Sequence, residues 1–272
     1  IMRCIGLTLL LSSLMGGCER EEMTAPQEEP TTSDRPQAVR FVGDLLVVTN
    51  TGYRSTEWAP GFLTIVDSNS AEVVHRIDTS QFNPQVIAIN SDHLVIVNTG
   101  TYDNSDFNQP RSDLPGGIDL FRLDSLTTAQ GPSSTMALQD ILPSPADIAM
   151  IGTTAVITST LEPQYVTAQV EDNRLSVIDT HSLPRGPGLS LNTVRAWQNF
   201  FLLVDFNSDT LTLVDTDHTA RCQIELGQRP DEMEGATAPY IVGNTLFVIM
   251  ALSGELRRVE LEPLRDNCAR VI

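Results

Sequence analysis

The stretch from Thr210 to Pro230 reads TLTLVDTDHTARCQIELGQRP, and most of one structural unit can be read from it. Leu211 and Leu213 alternate with threonines, and the run ends on Val214-Asp215, the pattern of a short strand. An acid at that end suits a tight turn, because a carboxylate can accept local backbone N–H bonds. A second strand-length run, Cys222-Gln-Ile-Glu-Leu226, follows, and Gly227 and Pro230 then break the chain.

Outward from this stretch the same order recurs five times. The units open on Pro36-Gln-Ala-Val39-Arg-Phe, Pro84-Gln-Val-Ile87-Ala-Ile, Pro145-Ala-Asp-Ile148-Ala-Met, Leu191-Asn-Thr-Val194-Arg-Ala and Pro230-Asp-Glu-Met233-Glu-Gly. Each is followed by an apolar, β-branched run: LLVVTN from Leu45, LVIVNTG from Leu94, AVITST from Ala155, FFLLVDF from Phe200 and LFVIM from Leu246. Third strands ending on an acid are expected at Phe62–Asp67, Ile118–Asp124, Arg174–Asp179, Thr210–Asp215 and Leu256–Glu260. A fourth strand is clearest at Glu72–Ile77 and Cys222–Leu226, and the fifth unit is expected to end on its own outer strand. No stretch shows a sustained helical period. Four antiparallel strands repeated every roughly 40 to 60 residues predict an all-β fold, a β-propeller of four-stranded blades with five countable units.

Val47-Val-Thr-Asn50, followed by LTIVDSNSAEVVHRI from Leu63 and NPQVIAI from Asn83, is similar to the YVTN-repeat propeller family, and RLSVIDT from Arg174 repeats the match. The resemblance covers Pro36 to Ile272 and implies a propeller fold, which hosts many functions. Members of that family usually carry about seven blades. The five units here therefore either close as a small ring or form part of a larger propeller, and an open arc would leave bare sheet faces.

The N-terminal residues predict the compartment. Met2-Arg3, an apolar run from Ile5 to Leu14 and Gly16-Gly17 form an export signal too short to span a bilayer. Leu14-Met15-Gly16-Gly17-Cys18 resembles the bacterial lipobox, which implies cleavage after residue 17 and acylation of Cys18. Glu19 in place of Asp implies, within that resemblance, sorting to the outer membrane. Residues 18–35, rich in acid, Pro and Thr, read as a solvated tether, and residues 36–272 as the propeller. The chain carries 17 basic residues, all Arg, against 35 acidic ones, a formal charge of −18. Such a surface repels nucleic acid and leaves the lipid anchor as the route to the membrane.

In a blade, the loop between the second and third strands shares a rim with the connections between blades, and long loops there build binding surfaces. The first three are expected to be long. They carry Tyr53, Glu57 and Trp58; then Tyr102, Asp103, Asp106, Phe107, Arg111 and Asp113; then, between Ser159 and Asn173, Glu162 and Tyr165. Aromatics with acids suit protein or glycan contact. Asp103-Asn-Ser-Asp106 with Asn108 offers oxygen ligands but matches no calcium-loop spacing, so no metal is assigned. His75, His93, His181 and His218 fall in different units as surface residues, and Trp197 reads as a core filler. No nucleophile elbow, HExxH, CxxC or phosphate-cradling loop occurs, and no cofactor is expected. Cys222 and Cys268 form an even pair in an oxidising compartment, which invites a disulfide. If both lay on outer strands of successive blades, those strands would splay beyond the roughly 4.4–6.8 Å a bridge needs. The expected function is a membrane-anchored envelope lipoprotein whose propeller binds or scaffolds an envelope protein or a surface polysaccharide. The alternative is a propeller enzyme of lactonase or cofactor- or metal-dependent type.

Overall fold

The computed structural model describes residues 35–54, 57–103, 111–183, 192–218, 220–229 and 232–268. The signal peptide, Cys18 and the tether up to residue 34 lie outside the described residues, as do Asp106 and Phe107.

Strands β1 (Arg35–Val42), β2 (Leu45–Arg54), β3 (Glu57–Asp67) and β4 (Val73–Asp78) pair antiparallel in chain order as blade 1. Blade 2 begins with β5 (Pro84–Ile89) and β6 (His93–Asn98), sends out a separate two-stranded ribbon, β7 (Thr101–Asp103) and β8 (Arg111–Leu114), and returns through β9 (Gly117–Arg122) and β10 (Ser134–Ala137). Blade 3 comprises β11 (Pro145–Ile151), β12 (Thr154–Ser159), β13 (Gln164–Glu171) and β14 (Arg174–Ser182). Blade 4 comprises β15 (Thr193–Trp197), β16 (Phe200–Asp205), β17 (Thr210–Asp215) and β18 (Ala220–Glu225). Blade 5 shows three strands among the described residues, β19 (Ala236–Val242), β20 (Thr245–Met250) and β21 (Glu255–Glu260). The architecture is the all-β propeller arrangement expected, in five sheets.

Three details depart from the sequence reading. The third strand of blade 3 is Gln164–Glu171, and Arg174–Ser182 is its fourth. Asp172 and Asn173, both with positive φ, make the two-residue turn between them. The first strand of blade 5 begins at Ala236, later than the Pro230 opening. Beyond Glu260 comes a helix, α1 (Leu261–Cys268), where an outer strand was expected. Pro263 sits in its first turn, where a missing N–H costs nothing, and buried Leu261 with half-buried Leu264 packs on the core between blades 4 and 5.

Second strands are apolar at nearly every position because both of their faces are covered. On β6, Leu94 and Ile96 join Val47, Leu63 and Ile65 of blade 1, while Val95 and Val97 join Ile157, Val166 and Ala168 of blade 3. Val156 and Tyr165 meet Phe201 and Leu203 across the next joint, and Leu202 and Val204 meet Leu246 and Val248 across the last. Each joint buries an apolar core. Among the described residues there are four such cores for five blades, and none joins blade 5 to blade 1. The five blades therefore form an open arc. Its two end faces carry exposed apolar side chains: Phe41 (58% exposed) on blade 1, and Tyr240 (69%), Ile249 (46%) and Leu256 (63%) on blade 5.

The recurring prolines have a packing reason. A Cβ on Gly61 would sit 2.1 Å from Cδ of Pro84, and one on Gly116 would sit 2.6 Å from Cδ of Pro145. The first residue of an inner strand thus stacks on bare backbone of the preceding blade, within β3 at Gly61 and just before β9 at Gly116, a contact only glycine permits.

Candidate functional site

Two projections rise from neighbouring blades on the rim shared by the second-to-third-strand loops and the blade connections. In blade 1, β2 and β3 run on past the sheet as a hairpin that pairs Tyr53 with Trp58 and Arg54 with Glu57. Glu57 is exposed, and Trp58 is 38% exposed. In blade 2 the β7–β8 ribbon pairs Tyr102 with Ser112 and Asp103 with Arg111. The Thr101 hydroxyl accepts the Leu114 N–H at 3.1 Å and donates to Asp113, fixing the ribbon's base. Four-residue connections leave no comparable projection on blades 3 and 4: β12 leads to β13 through residues 160–163, and β16 leads to β17 through residues 206–209.

Glu162 is exposed in the short blade 3 loop, but Tyr165 is not on this surface. It lies in β13, buried in the joint to blade 4, because the strand begins earlier than its sequence suggests. Its ring stacks on His181 at 4.8 Å, and His181 lies 5.7 Å from His218, so two histidines from different blades meet. Burial, then Asp215 and Asp179, pushes the Tyr165 hydroxyl up to about 12. Burial and then the charge of His181 lower His218. Among the described residues no group of three or more His, Cys, Asp or Glu could hold a metal ion. Trp197 fills the core between blades 4 and 5 as expected.

Cys222 is disulfide-bonded. The premise that its sequence partner occupies an outer strand does not hold, since Cys268 ends α1, which packs against β18. The Cys268 side chain lies outside the described residues.

A second concavity runs down the middle of the arc. This cavity of about 700 Å3 is walled by β1, β5, β11 and β15, with Thr237 of β19 at its edge. Its polar groups include Arg40, Thr99, Asp147, Asn192, Thr193 and Arg195. Buried Asp147 accepts the Val194 N–H at 3.0 Å and the Arg195 guanidinium at 2.6 Å. Burial holds its carboxyl above the usual range, against the pull of Arg195 and the Val194 and Ile148 N–H groups. None of these residues stands out in the sequence singly. Aligning the unit openings supplies the missed signal, since Arg40 and Arg195 hold the same position in the first and fourth copies.

No protein-family profile matches the chain, and no curated protein matches it. Solved structures do, and the neighbours include β-propeller-like proteins. A Bacteroides uniformis protein whose suggested activity is 6-phosphogluconolactonase aligns with 79% of this chain at a TM-score of 0.56 and 11% identity. A functionally unknown protein from Desulfotomaculum acetoxidans aligns with 83% at 0.54 and 12% identity, and the computationally designed Ika8 protein with 83% at 0.52 and 11%. The alignments span 67%, 68% and 61% of those proteins' own lengths. At such identities the likeness concerns the fold, which belongs to the β-propeller class.

Proposed function

We propose that the chain is an envelope lipoprotein, anchored through acylated Cys18 and sorted to the outer membrane, whose YVTN-type propeller binds an envelope protein or a surface polysaccharide. One observation supports the binding face: on the neighbouring blades 1 and 2 the connection between second and third strands is extended into a hairpin, and both belong to the same rim. Their sequences carry Tyr53, Glu57 and Trp58 in one hairpin and Tyr102, Asp103, Arg111 and Asp113 in the other, a composition of rings and charges suited to a polar, wet contact. The lipobox-like residues 14–18 and the acidic tether support the anchor.

The test pairs the full chain with a variant in which residues 101–114 are replaced by a two-residue turn. Both are used to capture ligands from detergent-solubilised envelope, and intact mass reads acylation. A partner held by the full chain and lost by the variant, on a diacylated product, is the expected result. Equal capture by both removes the rim as the binding face, an unacylated product removes the anchor, and turnover in a lactone hydrolysis panel replaces the binding module with an enzyme.

A further inference from the structure

The central cavity has features that packing alone does not require. Arg40 lies in blade 1 and Arg195 in blade 4, at the same register of their first strands: Arg40 pairs with Val47, and Arg195 with Leu202. At that register blades 2 and 3 carry Ala88 and Ala149, opposite Val95 and Val156. Two guanidiniums thus flank a space that two alanines keep open. Arg122, Arg229, Arg257, Arg258 and Arg265 are all paired with acids, but Arg40 has no carboxylate partner among the described residues and donates only to its neighbour's carbonyl, Val39 O. Arg195 spends Nε on Pro239 O and Nη1 on Asp147 and Val194 O, which leaves Nη2 without an acceptor among the described residues. In a chain of charge −18, the charged side chains lining this cavity are two cations and one anion.

The walls also hold polar atoms without partners. Thr99 is 2% exposed and Asn192 fully buried, yet Thr99 Oγ1, Asn192 Oδ1 and Thr193 Oγ1 make no hydrogen bond. Each of these atoms is shut off from the cavity's solvent, so it is a local cost of the fold that a ligand in the cavity does not reach. The guanidiniums only donate, so their complement must accept. We infer that the central cavity binds a small carboxylate-bearing ligand, its carboxylate held by Arg40 and Arg195.

This site is independent of the rim projections, and its test uses the full chain with D-glucuronate as probe, followed by calorimetry. Glucuronate should saturate one site per chain, while D-glucose, which lacks the carboxylate, binds at least about 10-fold more weakly, the worth of one charge-assisted contact. Arg40→Gln, at an exposed side chain, should cost a similar factor with an unchanged unfolding midpoint. Arg195 is the poorer probe, since its loss strands the buried Asp147. No saturable binding of glucuronate at millimolar concentration, equal binding of glucose, inorganic phosphate binding as tightly as glucuronate, or indifference to Arg40→Gln would each overturn the inference.

Discussion

The open arc makes one unusual demand: the same substitution should cost very different amounts on different blades. Ile157 on β12 is fully buried in the joint between blades 2 and 3, whereas Ile249 on β20 is 46% exposed on the outer face of blade 5. Ile157→Ala removes three carbons from a closed core and leaves a cavity, a loss of about 3–5 kcal/mol. Ile249→Ala removes the same carbons from a face half in water, so about half of the roughly 2.4 kcal/mol transfer value is lost and no cavity forms, near 1 kcal/mol. The measurement is urea unfolding of the full chain and both variants, comparing midpoints at constant m. With m of roughly 3 kcal/mol/M for a chain of this size, Ile157→Ala should lower the midpoint by about 1 M or more and Ile249→Ala by about 0.3–0.4 M. If the two costs agree within about 0.5 kcal/mol, the outer face of blade 5 is covered in solution and the arc is not open.

Asp119 gives a second prediction. It accepts the Ser80 N–H at 2.8 Å, the Ser80 hydroxyl, and the Asn98 amide at 2.9 Å. Asp119→Ala orphans at least two donors at about 1–3 kcal/mol each, offset in part by relief of a buried charge, so urea unfolding should show a net loss of roughly 2–4 kcal/mol. His218 predicts a pH dependence. Its proton affinity is lowered in the fold by burial and His181, while Asp215, Asp217 and Asp179 pull weakly the other way. The unfolded chain therefore binds the proton first, so stability is full above the ordinary value of 6.5, falls as pH drops below it, and levels off below the folded value. His218→Gln should flatten that slope, and an unchanged slope would assign it to other groups. For the disulfide, non-reducing peptide mapping should join Cys222 to Cys268, and Cys268→Ser should lower stability by about 3–4 kcal/mol on the chain-entropy estimate. A Cys222 peptide joined to Cys4 or Cys18 would refute that pairing.

The second strands were readable because burial on both faces strips them of polar residues, and the unit openings because Pro84 and Pro145 must stack on Gly61 and Gly116. Blade 3 misled for a physical reason. Its fourth strand, with Leu175 buried and Ile178 exposed, alternates like a third strand, while the true third strand, QYVTAQVE, dilutes its apolar face with Thr and Gln. That shift placed Tyr165 in a loop when it belongs to a joint. Helix α1 escaped because it is short, with only Leu261 and Leu264 turned to the core. The contact of His181 with His218 comes from blade packing and has no trace in sequence spacing.

The same buried carboxylates explain how blades find their register. Apolar faces attract without direction and tolerate sliding, so four greasy joints alone would specify the arc poorly. At three of them a buried acid supplies the direction. Asp119 of blade 2 grips Ser80 on the connection from blade 1, Asp147 of blade 3 takes Val194 and Arg195 of blade 4, and Asp209 of blade 4 accepts the Glu234 and Ala236 N–H groups at the entry to blade 5. Each bond forms at one register only and leaves a costly unpaired group at any other. At the third of these joints Glu234 is itself anchored by Arg257 at 2.9 Å and by the Gln228 N–H, which, as the larger influence, holds its carboxyl below the usual range. Asp147 serves two ends at once, since the bond that fixes blade 4 against blade 3 also fixes the Arg195 guanidinium in the cavity wall. The Arg195 guanidinium is thus positioned by the architecture of the arc and requires no loop to place it.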